Sequence, residues 1–321
     1  MAVKDLIRVQ TGKETTWGTA VPATSWLTAV QSAEFSIDDE VKAISAAGSL
    51  APAAIAAQVR QGAKGKIKAA LTYEDILYAL HGIFGSVAPS GTGPYTWTYT
   101  APRESVPTPQ AYTLEFGQSD AAYRAVGALF SSLSIVLAAG EIGTLEADVI
   151  AKQLESVTLT SGLARRAQTL VRGADAKLYI DPWGGMFGAT QVPATLIEAE
   201  LGVETGRHLK YFADGDILAS AYGDARWKAE LKITAEFNAS AKALVDALLA
   251  GEVKRLVRIK CTSGDNMLTL NFPGVITDGA TLWKDRDGNC VVELAFGALD
   301  ATDGPDNWLE ISAVNAVAML V

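Results

Sequence analysis

The sequence predicts a mainly β fold with one helix per repeat, a β-sandwich or partial barrel, built as a tandem duplication. Short segments alternate apolar and polar residues, as half-buried strands do. Matched blocks recur in the same order in the two halves of the 321-residue chain. Each half holds one amphipathic stretch at helical spacing.

The repeat begins at Trp17-Gly18-Thr19-Ala20-Val21-Pro22-Ala23-Thr24, which is echoed by Phe187-Gly188-Ala189-Thr190-Gln191-Val192-Pro193-Ala194-Thr195. An alternating strand follows each, Ala33–Asp38 and Ala199–Glu204, 166 residues apart. Next, Lys64–Ala69 matches Lys228–Ile233 at a spacing of 164. Then the spacing falls: Tyr112–Phe116 matches Val257–Cys261, and Val126–Leu129 matches Pro273–Ile276 at 147. An extra loop in the first half, residues 86–110, accounts for the drop. The reading is therefore copy one at 5–152, a connector at 153–173, copy two at 174–301 and a C-terminal tail at 302–321. Unchanged block order carries the duplication, because each single match is weak.

The strands of copy one show a buried face at Leu114 and Phe116, Leu133, Ile135 and Leu137, and Leu145, Ala147 and Val149. In copy two, Asp285-Arg286-Asp287-Gly288-Asn289 separates two strand-like runs. Asp, Gly and Asn there suit a hairpin turn with positive φ. Thr72 caps an expected helix over Tyr73–Phe84, with Asp75 placed for a capping box. Ile76, Leu77, Leu80 and Ile83 form its apolar stripe, and Gly82 or Gly85 ends it. Asn238 or Ser240 caps a second helix that turns Leu244, Ala247 and Leu248 inward and ends at Gly251.

Composition narrows the function. Hydrophobic residues make up 49% and charged residues 20% of the chain, which fits a folded globular protein. The net charge is −9 and no basic run occurs, so tight nucleic-acid binding is a poor reading. Met1–Arg8 is charged every few residues, unlike an export signal. No stretch is long enough for a membrane helix. The expectation is a soluble protein that works without export.

No catalytic signature is present. Gly91-Thr92-Gly93 lacks the third glycine of a dinucleotide fingerprint and no helix follows it. Phosphate-loop, GxSxG and HExxH motifs are missing. Cys261 and Cys290 form no CxxC, and His81 and His208 stand far apart, so a zinc site or His-dependent nucleophile is not expected. Asp285–Asn289 resembles part of a calcium loop but lacks its twelfth-position acid. Glu34, Asp38, Asp39 and Glu40 read as a solvated strand end. The chain is expected to be no enzyme and to carry no cofactor or metal.

Tyr95, Trp97 and Tyr99 alternate with threonines inside the long loop, which is strand patterning. They suit either a hairpin packed on its own domain or an inter-subunit or inter-ring arm, since large aromatics anchor interfaces.

The opening segment Gly12-Lys13-Glu14-Thr15-Thr16-Trp17-Gly18-Thr19-Ala20-Val21-Pro22-Ala23-Thr24 resembles the N-terminus of siphophage tail tube proteins, the major tail proteins of long non-contractile tails. The following strand, mid-domain helix and strand-rich remainder are similar to that family too. The resemblance implies β-sandwich domains with a flanking helix. Hairpins of neighbouring subunits close a shared β-barrel, six domains close a ring, and rings stack. It implies a self-assembling virion tail component, made in the host bacterial cytoplasm, that conducts DNA from capsid to host. Partners would be further copies of the chain and the tape measure, terminator and tail tip proteins, with DNA only passing through and no membrane involved. Two domains per chain favour a trimeric pseudo-hexameric ring over a hexamer. The hairpins near Leu129–Val149 and Val275–Phe296 would form the lumen wall, with Glu141, Glu146, Asp148, Asp285, Asp287 and Glu293 as wall candidates. The alternatives are a tube of a contractile tail or secretion device, and a β-sandwich binding module.

Overall fold

Leu133, Ile135 and Leu137 are buried while Ser132, Ser134 and Val136 between them stay half-exposed. That alternation sets the architecture, because every strand so patterned must press one face against a core. The computed structural model describes residues 6–301 and 303–320.

The first half runs β1 (Arg8–Lys13), β2 (Ser25–Trp26), β3 (Val30–Ile37), β4 (Glu40–Ile44), β5 (Ile55–Arg60), β6 (Ala63–Ala70), α1 (Ile76–Phe84), β7 (Tyr95–Thr100), β8 (Tyr112–Gly117), β9 (Ala122–Ala138), β10 (Thr144–Ala151) and β11 (Gln153–Val157). The second runs β12 (Ala176–Pro182), β13 (Leu196–Glu204), β14 (His208–Lys210), β15 (Ala221–Gly223), β16 (Lys228–Glu236), α2 (Ala239–Leu249), β17 (Lys254–Ser263), β18 (Asn266–Arg286), β19 (Asn289–Ala298) and β20 (Glu310–Asn315). The fold is mainly β and antiparallel.

Both halves follow one strand order. In the first it is β1-β8-β9-β10-β6-β3, and in the second β12-β17-β18-β19-β16-β13. The long strands β9 and β18 each change partners along their length. The start of β9 pairs β8 and β11, and its end pairs β10. Likewise, the start of β18 pairs β17 and β20, and its end pairs β19. Gly127 lies where β9 changes partners, at φ 66°, and a Cβ there would lie 3.0 Å from the Trp17 indole nitrogen. Only glycine fits both demands.

Strand pairing differs from the sequence reading in three places. Ala33 faces Ile67 and Ala199 faces Ile233, so β6 and β16 match at the spacing of β3 and β13, two residues from the 164 read off the lysines. Period-two patterns leave such a slip invisible, since side chains keep their face. β11 lies inside the expected connector, and β20 inside the expected tail, yet each pairs a long strand at the matching place. The loop 86–110 is not free either: β7 within it pairs β20.

The turns follow their residue chemistry. Asp287 (φ 55°) and Gly288 (φ 82°) both take positive φ at the β18–β19 hairpin. The Asn238 side chain accepts hydrogen bonds from Ser240 N and Ala241 N and caps α2. At α1 the Thr72 hydroxyl accepts from Asp75 N at 3.1 Å, and the helix starts at Ile76 rather than Tyr73. α1 is buried on all sides; α2 lies on the surface with Ala241 and Val245 as its buried residues.

The echoed opening segments have a shared anchor. The Glu14 carboxylate accepts from Gly18 N, Gly127 N and the Thr113 hydroxyl, each at 2.8 Å. The Asp181 carboxylate accepts from Gly188 N at 2.7 Å and Thr190 N at 2.7 Å. Both acids are buried, and each ties down a turn whose glycine has positive φ. Burial pushes the Glu14 carboxyl above its ordinary range, outweighing these bonds.

Candidate assembly surface

The two halves meet edge to edge. The end of β9 pairs β13 antiparallel, from Ser132 opposite Glu204 to Ala138 opposite Glu198. This makes one sheet ordered β3-β6-β10-β9-β13-β16-β19-β18. One face is core: Ile67, Ala147, Leu133, Val203, Leu231 and Phe296 are buried on it. The opposite face is polar and crosses the half-to-half seam without a break. One row reads Glu34, Lys66, Asp148, Ser132, Glu204 and Lys228 on six neighbouring strands.

The polar face is charge-paired. Glu146 reaches Lys68 at 2.5 Å and Lys66 at 3.4 Å. The Lys68 hydrogen bond holds the Glu146 carboxyl below its ordinary range. Lys66 also stands 3.8 Å from Asp148. In the second half, Lys284 meets Glu293 at 2.6 Å and Arg286 meets Glu198 at 3.0 Å. Such exposed pairs add little stability, but they bring opposite charges together across neighbouring strands. The sequence showed carboxylates on these strands without showing the lysines opposite them. Glu141 sits in the β9–β10 turn, and Asp285 and Asp287 sit at the β18–β19 tip, all three away from the middle of the face.

Tyr95, Trp97 and Tyr99 are brought together, but inside the subunit. β7 pairs β20, with Trp97 opposite Ala313 and Tyr99 opposite Ile311. Trp97 and Tyr99 are buried, and the Trp97 indole N–H donates to Val317 O at 3.1 Å. The projecting-arm expectation is thereby corrected for these two rings: they pack on the chain's own core, and only Tyr95 stays partly exposed. The hairpin that does project is β4–β5, where Val41, Ile44 and Ile55 are each at least 60% exposed.

The junction is locked by a residue with no sequence signal. Arg207, just after β13, lies buried against the first half. Its guanidinium donates to Gly82 O at 2.7 Å, Phe130 O at 2.6 Å and Ile83 O at 3.2 Å. Two further bonds, at 2.8 and 3.0 Å, reach the Asp224 carboxylate. A planar five-donor group can serve all these acceptors at once. Gly82 and Ile83 end α1, so the positive charge also meets the negative end of a helix.

Cys261 and Cys290 are both free thiols, the first buried and the second exposed. Among the described residues, no grouping of His, Cys, Asp and Glu is arranged to hold a metal ion. Burial pushes the Cys261 thiol up to about 12, which keeps it protonated and unreactive. No helix among the described residues is long and apolar enough to cross a membrane.

The family model for phage tail tube proteins matches residues 5–307. The chain belongs to the phage tail tube protein family. No curated protein matches it significantly. Family membership makes it a structural component of a virion tail, and the siphophage-like opening segment lies within the matched span.

Proposed function

We propose that this tail tube subunit forms rings of three chains, each chain supplying two of six equivalent positions, and that stacked rings enclose a lumen through which DNA passes. The observation that carries the reading is the repetition of one strand order in both halves, already joined edge to edge. Joining units this way hides strand edges, and a head-to-tail contact that closes makes a ring. In a single chain the sheet remains open, with β3 at one end and, past the stretch that pairs β17, the later part of β18 at the other. The rings are assembled in the host cytoplasm and capped by terminator and tip proteins around a tape measure.

Electron microscopy of the assembled protein tests the ring. End-on averages are expected to show six lobes, with mass for three chains. Six full chains per ring would retain the tube and reject two positions per chain. A protein monomeric at every concentration, even with tail-tip proteins as nucleators, would reject both.

The polar sheet face forms the lumen wall. Its paired charges offer DNA neither a strong attraction nor a strong barrier. Glu146 and Asp148 serve there by answering Lys66 and Lys68. Replacing both by Gln and Asn leaves those lysines free to grip phosphates. Tails carrying Glu146→Gln and Asp148→Asn should still form, while DNA release from them slows several-fold at low salt. Unchanged release would remove this face from the lumen.

A further inference from the structure

We infer that one chain joins the next through a seam that repeats, in the same register, the seam between the two halves of a single chain. This rests on the ring reading above and adds the edges and residues that meet. In the internal seam the end of β9 holds β13. β18 occupies in the second half the place of β9, as each forms the hairpin with the next strand, and β3 occupies the place of β13. The free side of β18 is therefore a second β9 edge that lacks its β13. The free side of β3 is a second β13 edge that lacks its β9.

Both edges stand open. Beyond Ile276, β18 pairs β19 alone, and β3 pairs β6 alone. Residues 281–286 are exposed throughout, whereas 132–138, in the same place on β9, are buried or half-buried beneath their neighbour. An open strand edge invites another strand.

Matching strand pairs fixes the register. Ser134 opposite Gly202 becomes Thr281 opposite Ser36 of the next chain. Leu133 opposite Val203 becomes Ala280 opposite Ile37, which covers an isoleucine now 63% exposed. Val136 opposite Glu200 becomes Lys284 opposite Glu34 once the β18 irregularity between Thr281 and Lys284 is passed. The pairing thus sets a cation against a carboxylate, and opposite charges directly across strands favour pairing.

A second feature lacks the same neighbour. The hairpin β14–β15, which follows β13, rests on the first half: Tyr222 packs on Trp17 at 5.4 Å and the Tyr211 hydroxyl donates to Gln61 O at 3.3 Å. The hairpin β4–β5 follows β3 in the same way; at its base Arg60 stacks over Tyr211 at 5.8 Å, while Val41, Ile44 and Ile55 further along it stay exposed. A second half from another copy, seated against β3, supplies the missing surface.

Disulfide trapping reads the register directly. The tests use Cys290→Ser protein, which removes the exposed thiol and leaves Cys261 buried. The reference pair Ser134→Cys with Gly202→Cys lies across the internal seam, where a Cβ at Gly202 meets nothing within 4 Å. It should link within a chain on oxidation. Thr281→Cys with Ser36→Cys should link between chains in assembled protein to a similar yield. Thr281→Cys with Ser32→Cys, displaced by about 13 Å along the strand, should link at least tenfold less. Assembled tubes in which the reference pair links and the Thr281–Ser36 pair does not would overturn the seam while leaving the tube reading intact. Wild-type protein that never assembles would overturn both. In parallel, Lys284→Glu should raise the concentration needed for assembly several-fold, and adding Glu34→Lys should restore it. Restoration failing in protein that folds normally would count against the register.

Discussion

Arg207→Ala is expected to cost the chain about 3–5 kcal/mol of stability. The side chains of Arg207 and Asp224 are 0% and 2% exposed, so removing the guanidinium strands a buried carboxylate. It also leaves the carbonyls of Gly82, Ile83 and Phe130 without their donor. Equilibrium denaturation followed by tryptophan fluorescence measures the loss. Two companions separate the causes. Arg207→Ala combined with Asp224→Asn should recover part of it, because no unpaired charge remains. Arg207→Lys should recover little, since a compact ammonium cannot reach acceptors on α1, β9 and Asp224 together. The weakness should localise to the junction, so proteolysis should nick residues 158–172 sooner in Arg207→Ala than in wild type. A loss below about 1 kcal/mol would mean that β9–β13 pairing and β20 hold the halves together without this lock.

That junction marks where sequence reasoning stops. The alternation of Leu133, Ile135 and Leu137 announces a strand with one buried face, because period two is a local property. Asp287-Gly288 announces its hairpin for the same reason: positive φ is written into those residue types. The echoed opening segments were legible as a repeat. Nothing local, however, says that β9 will take β13 as its outer neighbour, or that β20 will bridge β18 and β7. Partners far apart in sequence are chosen by fit of whole edges, and pattern is silent on that. The Tyr95-Trp97-Tyr99 alternation shows the same limit. A row of aromatics predicts a covered face but not whether the cover is the chain's own core or another subunit's. Among the acids named for a wall, Glu146 and Glu293 stand out in the sequence as carboxylates on strands, while Lys68 and Lys284 beside them emerge only from strand register. Arg207 resembled any surface arginine until its acceptors were brought around it.

Acidification should destabilise the fold through His81. The ring is buried in the last turn of α1, with Nδ1 2.8 Å from the Tyr99 hydroxyl and 3.0 Å from Leu77 O. Burial lowers its pKa from 6.5 to about 4, because a charged imidazolium there would lose its water. The unfolded chain therefore takes up a proton as pH falls through 6.5, and the folded chain does not until about 4. Stability from the neutral ring is full above pH 6.5 and drains away below it, reaching a loss of about 2.5 kcal/mol by pH 4.5. Glu14 and Asp75 act in the opposite sense. Burial raises both, so protonation near and above the ordinary carboxylate range is easier in the folded state and offsets part of the loss. His81→Gln isolates the imidazole, since it keeps a polar group beside Tyr99 and Leu77 but cannot titrate. Urea midpoints for both proteins at pH 7 and pH 4.5 give the comparison. The wild type should lose about 2.5 kcal/mol more than His81→Gln over that interval. Equal losses would place a water path to the ring and return His81 to an ordinary titration. α1 packs on β9, whose far end forms the seam between the halves, so acid that opens this core loosens that seam.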